Sequence, residues 1–264
     1  MTLHQVPVAN KDKVIIVGAG IGGLASSLRL SHLGYDVEVI ERANSAGGKL
    51  RTITGSTGEI DIGPTVLTLL PIFQKLFKSV GEDIFEHIDL VRQKIIARHW
   101  WPDGTSLDLY DDFETSRDAI MKFSGSGSAI EFEKYFHDTR DLFSCFDLPV
   151  MQNPRPSMLD MNLAVLSNPK ILSKLHPLRT LSSLLNYKFQ DKRLRQLFGR
   201  YATYVGGSPL ESPALLSLVW QAEAQGVWSI KGGMRKLARV IEQLAKARGA
   251  SFNYGTDIKE FNTK

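Results

Sequence analysis

Residues Lys13 to Glu41 constrain this chain more than any other stretch. The apolar run Val14-Ile15-Ile16-Val17 enters Gly18-Ala19-Gly20-Ile21-Gly22-Gly23, and a helical pattern comes next. Gly18 permits a tight turn, Gly20 lets backbone approach a pyrophosphate, and Gly23 allows a helix to pack closely on the preceding strand. Gly22 lies in the same turn, where the free N–H groups opening the helix face an anion. Ile21, Leu24, Ala25, Leu28 and Leu33 give that helix a buried face, and Gly34 stands where a left-handed terminator is expected. A second strand, with Val37, Val39 and Ile40, ends at Glu41, 18 residues past Gly23. A carboxylate there can accept both hydroxyl protons of an adenosine ribose and would repel a 2′-phosphate. The pattern predicts a dinucleotide-binding βαβ unit.

The residues just after Glu41 and Arg42 favour FAD over NAD. Gly47-Gly48-Lys49-Leu50-Arg51 supplies a second close-approach glycine pair with two cations, suited to a long, doubly phosphorylated ligand. A Gly-Gly pair alone is more often a plain turn; its weight comes from its position behind the βαβ unit.

Together with Glu41-Arg42, Gly47-Gly48-Lys49 and Asp61-Ile62-Gly63-Pro64-Thr65-Val66, the glycine motif resembles the bacterial carotenoid desaturases, within the wider amine-oxidase-like flavoproteins. Arg200-Tyr201-Ala202-Thr203-Tyr204-Val205-Gly206-Gly207-Ser208-Pro209 and Gly226-Val227-Trp228-Ser229-Ile230-Lys231-Gly232-Gly233-Met234 are most similar to the branch of 1-hydroxycarotenoid 3,4-desaturases, the hydroxyneurosporene or methoxyneurosporene desaturases. The resemblance implies an α/β fold: a Rossmann-like FAD-binding domain of the amine-oxidase and phytoene-desaturase type, with an inserted α+β substrate domain. It implies FAD contacts at Gly18, Gly20, Gly22, Gly23, Glu41, Arg42, Gly48, Lys49, Gly63, Pro64 and Thr65, with the backbone of Ile258 touching the adenine. Members of that family are considerably longer, so the chain reads as an amino-terminal fragment, truncated at the C-terminus. The expected division is 1–65 for the first part of the FAD-binding domain, 66–225 for the substrate domain, and 226–264 for an incomplete return.

Composition narrows the remaining classes. A single cysteine, Cys145, excludes an internal disulfide and any Cys-x-x-Cys site, and reads as a free buried thiol. Six scattered histidines without a His-Glu-x-x-His arrangement give no metal site. No signal peptide is evident, and no apolar stretch reaches the roughly 18–20 residues of a spanning helix. The expected location is cytoplasmic, peripheral on the inner face of the plasma membrane. The formal charge of +4 is uneven: acids dominate from Asp103 to Asp147, bases from Arg155 to Arg200. In the basic stretch cations alternate with Met158, Leu163, Leu166, Leu172 and other apolar residues. This reads either as a segment lying in a membrane interface or as an amphipathic helix pair with a solvated basic face. Nucleic acid is not an expected partner, because no recognised motif accompanies the bases. Oligomeric state is not legible.

In the middle region, Ile96 to Trp101 and Ser106 to Tyr110 flank Pro102-Asp103-Gly104 as a hairpin. Ser124-Gly125-Ser126-Gly127-Ser128 reads as a flexible loop; it lacks the Lys-Ser/Thr ending of a phosphate cradle. The implied reaction removes a hydride and a proton from neighbouring carbons of a hydrophobic carotenoid, with flavin as the hydride acceptor. No catalytic residue is assigned. Glu223 is the kind of carboxylate that could take the proton, with Arg200 tuning it, but both suit structural roles better. Trp100, Trp101, Tyr201, Tyr204, Trp220 and Trp228 suit a tunnel lining or a packed core equally. Two other readings stand beside the desaturase: a related amine- or protoporphyrinogen-oxidase-like flavoenzyme, and a non-catalytic prenyl-lipid-binding protein of the same fold.

Overall fold

The structure is a computed structural model describing residues 12–260. In chain order the strands are β1 (Lys13–Val17), β2 (Asp36–Glu41), β3 (Thr52–Gly55), β4 (Gly58–Asp61), β5 (Leu90–Arg92), β6 (Ile95–Trp100), β7 (Ser106–Tyr110), β8 (Trp228–Ile230) and β9 (Ser251–Tyr254). The α-helices are α1 (Ile21–His32), α2 (Leu70–Lys78), α3 (Ile84–His87), α4 (Phe113–Ser124), α5 (Ser126–Phe146), α6 (Met158–Ser167), α7 (Leu172–Leu175), α8 (Leu181–Lys188), α9 (Lys192–Gly199), α10 (Gln221–Ala224) and α11 (Arg235–Ala247). The chain divides into two compact units, one of residues 12–92 with 228–260 and one of residues 93–227.

The first unit is built on a parallel sheet of order β1-β2-β9. Val14 pairs with Val37, Ile16 with Val39, and Val39 with Phe252. Because strand side chains alternate, these residues share one face, and α1 and α11 cover it. Leu24, Leu28, Val37, Val39, Leu237, Ala238 and Ile241 are buried together there. The opposite face leaves Ile15 56% and Val17 51% exposed. In α1, Leu24 and Leu28 are buried and Ala25 half-buried as the spacing implies, and the helix stops at Gly34, φ +90°; Ile21 and Leu33, each 37% exposed at the helix ends, lie outside the buried face. The start of α11 is fixed from far away in sequence: the Asp61 Oδ2 carboxylate oxygen accepts the Met234 N–H at 2.9 Å, across 173 residues. A carboxylate at a helix N-terminus satisfies an orphan N–H and the helix dipole together.

The second unit joins the β6–β7 hairpin to helices around an aromatic core. Phe132, Tyr135, Phe189, Phe198, Tyr201 and Trp220 are buried in one cluster, with Tyr135 and Phe198 ring centroids 4.7 Å apart and Phe189 and Phe198 5.2 Å apart. Inside that core the Trp220 Nε1–H and the Gln221 Nε2–H both donate to Thr139 Oγ1 at 2.8 Å. The loop expected over residues 124–128 is instead a break one residue wide: α4 ends at Ser124 and α5 begins at Ser126. Only Gly125, at φ +89°, leaves the helical region. The serines are absorbed by hydrogen bonding, since Ser124 Oγ bonds both Ser128 Oγ and Asp191.

Asp191 caps α9 by accepting the Arg193 N–H at 2.8 Å and pairs with the Arg193 guanidinium at 2.7 Å. The guanidinium holds its carboxyl down to about 2. A depressed carboxyl stabilises the fold above its unfolded value of roughly 3.9 and loses that stabilisation as pH falls toward 2. Asp191→Asn should therefore cost ~2 kcal/mol at pH 7 and about half of that at pH 3. Urea melts of both proteins at the two pH values check this; an equal difference at both would contradict it.

Candidate dinucleotide site

The turn after β1 is organised by one residue, Ala19. Its N–H donates to Glu41 Oε2 at 2.7 Å, and its carbonyl accepts the Gly47 N–H at 2.9 Å. The end of β2 and the second glycine pair are thus both hydrogen-bonded to the first glycine turn. Contact is close: Gly20 and Gly47 form an isolated parallel bridge, and a Cβ built on Gly48 would stand 3.0 Å from the Gly20 Cα.

The glycines divide into two kinds. Gly18 takes φ +94°, and a Cβ on Gly23 would lie 1.9 Å from the Gly18 carbonyl oxygen, so Gly23 is required by the packing of α1 on β1. A Cβ on Gly63 would likewise meet the Lys49 carbonyl oxygen at 1.9 Å, which seats Lys49 against the segment leading to Pro64 and Thr65. Gly20 and Gly22 are different. Neither has positive φ, and a Cβ on either would meet nothing within 4 Å. The fold does not need glycine there, and the space in front of the turn is open.

A dinucleotide fits this arrangement. Gly20 caps α1 without a side-chain hydrogen bond, and no acid stands in the first turn, so the opening N–H groups are free of side-chain acceptors. Glu41, 9% exposed, uses one lone pair of each oxygen, Oε2 for Ala19 and Oε1 for the Ala43 N–H at 2.8 Å. A carboxylate has about four acceptor positions, so two remain for a ribose diol. Arg42, Gly48, Lys49, Gly63, Pro64 and Thr65 are all exposed. After β9 the chain runs beside Glu41, the Thr256 N–H donating to the Glu41 carbonyl and the Gly255 N–H to the Ala43 carbonyl, both at 3.1 Å. Ile258, half-buried, lies two residues further on.

The sequence reading missed two elements of this site. It treated Glu41 as a ribose ligand only, whereas the same carboxylate also pins the turn at Ala19. It gave Asp61 no role, although Asp61 holds the start of α11 and keeps its Oδ1 buried without a partner among the described residues. The Gly232-Gly233 pair before Met234 was the available signal, because a Cβ on Gly233 would crowd the Asp61 carboxylate at 3.0 Å.

The other candidates fall within the second unit. Glu223, 4% exposed, pairs with the Arg200 guanidinium at 2.6 Å, accepts the Tyr201 hydroxyl at 2.7 Å, and accepts the Tyr204 hydroxyl. Burial, followed by the Glu223 charge, pushes the Tyr201 hydroxyl well up, so it stays protonated as a donor. Burial, followed by the Arg200 charge, pushes His99 down toward its neutral form. A carboxylate with three donors is a fixed counter-ion rather than a free base. A cleft of about 390 Å³ opens beside it, lined by Leu185, Gly199, Arg200, Thr203 and Pro209. Of the aromatics, Tyr201 and Trp220 are core residues, Trp101 stands 5.1 Å from Phe123, and Trp100 is 70% exposed. In the first unit Trp228 lies under the Arg92 guanidinium. Cys145 is half-buried, and burial pushes its thiol up. Among the described residues Glu82, Glu86 and His87 gather potential metal-ligand atoms, but Glu82 is taken by Arg248 at 2.6 Å and His87 at 2.8 Å.

The β1-β2-β9 sheet with its glycine turn is a Rossmann-like fold, and residues 16–82 match the family model described as an NAD(P)-binding Rossmann-like domain. The chain is homologous to hydroxyneurosporene desaturases: it is 43% identical to that of Cereibacter sphaeroides over 93% of its own length and 50% of the relative's. It is 42% identical to that of Rhodobacter capsulatus over 97% and 52%. The chain spans about half the length of the curated relatives it matches. Among solved structures, a putrescine oxidase bound to putrescine superposes with a TM-score of 0.59 over 92% of this chain and 51% of that one, at 18% identity.

The two kinds of glycine are separable by experiment. Gly20→Val should leave the melting temperature within a few degrees of the parent while abolishing saturable quenching of FAD fluorescence. Gly23→Ala should destabilise the fold by about 3 kcal/mol or more, because backbone rather than a mobile side chain is in the way. A Gly20→Val protein that still quenches FAD would contradict the assignment of the open space.

Proposed function

We propose that this chain carries the adenosine- and pyrophosphate-gripping part of an FAD-dependent carotenoid desaturase that introduces the C3–C4 double bond of a 1-hydroxycarotenoid. The observation that carries the substrate class is the extent of similarity. Identity of 43% runs over 246 residues, far beyond the glycine motif and through the residues of the second unit. A shared nucleotide motif alone would speak for the cofactor and not for the substrate.

FAD, when bound, supplies an acceptor for hydride from a C–H bond weakened by the neighbouring polyene. Each part of the chain then has its own task. Glu41 accepts the adenosine ribose hydroxyls with its two remaining lone pairs. The open N–H groups of α1 and the bare Gly20 and Gly22 backbone receive the pyrophosphate. Arg42 and Lys49 add positive charge beside it, while Gly48, Gly63, Pro64 and Thr65 form the exposed wall behind. The Ile258 backbone closes on the adenine. The second unit, residues 93–227, serves as the substrate domain expected over 66–225, since residues 66–92 pack into the first unit's core. It holds a hydrophobic carotenoid with water excluded from the reacting carbons. Glu223 and Arg200 hold that domain's packing and do not take the proton. The substrate is reached at a peripheral membrane surface, on the inner face of the plasma membrane.

The test is the absorption spectrum of the purified chain titrated with FAD, beside a version extended to the relatives' length that is then incubated with a 1-hydroxycarotenoid in detergent. A bound-flavin spectrum is expected of the chain, and of the extended version a carotenoid product shifted to longer wavelength by one added conjugated bond. Glu41→Ala should weaken FAD binding about tenfold or more, since it removes charge-assisted ribose contacts worth ~1.5–3 kcal/mol. Unchanged FAD affinity in Glu41→Ala would remove the ribose assignment, and unchanged carotenoid with flavin bound in the extended version would remove the substrate assignment.

A further inference from the structure

We infer that α6 and the turns on either side of it, residues 148–178, form the surface by which this chain docks on anionic lipid bilayer, with leucine side chains entering the acyl region. The inference rests on the carotenoid reading above for its biological sense, and on α6 for its evidence. No residue of this ten-residue helix is buried. Met158, Leu159, Leu163 and Leu166 are 71%, 65%, 54% and 73% exposed. Leu159, Leu163 and Leu166 are spaced i, i+4, i+7, which places them on one stripe of the helix. The residues half-buried against the protein, Met161, Ala164 and Val165, are apolar too, with the Cys145 thiol against the Ala164 carbonyl. Within the exposed stripe of α6 Asn162 is polar, so that side is mostly apolar and poorly suited to water.

The flanking turns continue the pattern: Leu148 is 69% exposed, Leu172 60% and Leu178 99%. The segment is nevertheless fastened down. Ser157 and Asp160 close a reciprocal capping box at the start of α6, which consumes the only acid between Leu148 and Thr180. Beyond the helix Lys174 pairs with Asp138 at 3.2 Å and Asp141 at 2.6 Å on α5. The exposed leucines therefore sit on a held element and not on a loose tail.

Charge selects the occupant. Arg155, Lys170 and Arg179 are exposed and make no ion pair among the described residues. Arg179 lies instead over the Tyr187 ring at 4.7 Å. A second copy of this surface would bring cations against cations, whereas an anionic bilayer satisfies the cations and the leucines together. Among the described residues no helix is long and apolar enough to cross a membrane, so the geometry is that of a helix lying in the interface.

Flotation of the whole chain with phosphatidylcholine vesicles, with and without phosphatidylglycerol, tests this directly. The parent should float with phosphatidylglycerol vesicles and stay partly bound at high salt. The triple variant Leu159→Ser, Leu163→Ser, Leu166→Ser should partition about tenfold less or weaker, with melting temperature and FAD binding unchanged, because the three side chains face outward. Arg155→Gln, Lys170→Gln, Arg179→Gln should lose the preference for phosphatidylglycerol. A parent that does not float, or a leucine variant that floats equally, overturns the inference; so does a leucine variant that only converts a dimer to a monomer. The enzymatic reading is separable: turnover of detergent-dispersed carotenoid by the extended version without vesicle binding overturns docking alone, and vesicle binding without that turnover overturns the substrate class alone.

Discussion

Ala19 is the residue on which the first unit depends. One peptide N–H and one carbonyl tie the glycine turn to the end of β2 through Glu41 and to the second glycine pair through Gly47. The Glu41 carboxylate is therefore structural before any ligand arrives, and it has lone pairs to spare. This economy explains why an acid is needed at that strand end. A neutral side chain would leave the buried Ala19 N–H without its charged acceptor and would offer a ribose nothing stronger than a neutral contact.

Much of this was legible in residue types and spacing. Periodicity placed β1, α1 and β2. The Pro102-Asp103-Gly104 turn was visible because strands flank it. Contacts between residues remote in sequence were not visible: nothing local in Asp61 announces that it caps a helix beginning at Arg235. The serine- and glycine-rich stretch around Gly125 misled for a related reason. Its composition is that of a loop, but α4 and α5 resume on either side because the serines find hydrogen-bond partners in Asp191 and each other. The fate of Glu223 needed geometry as well, since only the meeting of Arg200, Tyr201 and Tyr204 on one carboxylate shows it to be held by three donors.

The second unit contrasts with the first. Its core is aromatic, and inside it Trp220 and Gln221 both donate to Thr139, which favours a rigid scaffold. Against this rigidity stands α6, which half-buries Met161, Ala164 and Val165 but leaves Leu159, Leu163 and Leu166 more than half exposed. Stability alone does not explain that exposed leucine stripe, whereas an apolar substrate delivered from a bilayer gives it a use.

If the first unit recognises the adenosine end of a flavin dinucleotide, parallel titration of the purified chain with FAD, FMN and NADP⁺ will separate the three ligands. FAD should bind about tenfold or more tighter than FMN, which lacks the adenosine ribose, and NADP⁺, whose 2′-phosphate meets Glu41, should show no saturable binding. Equal affinity for FAD and FMN, or preference for NADP⁺, would contradict that recognition.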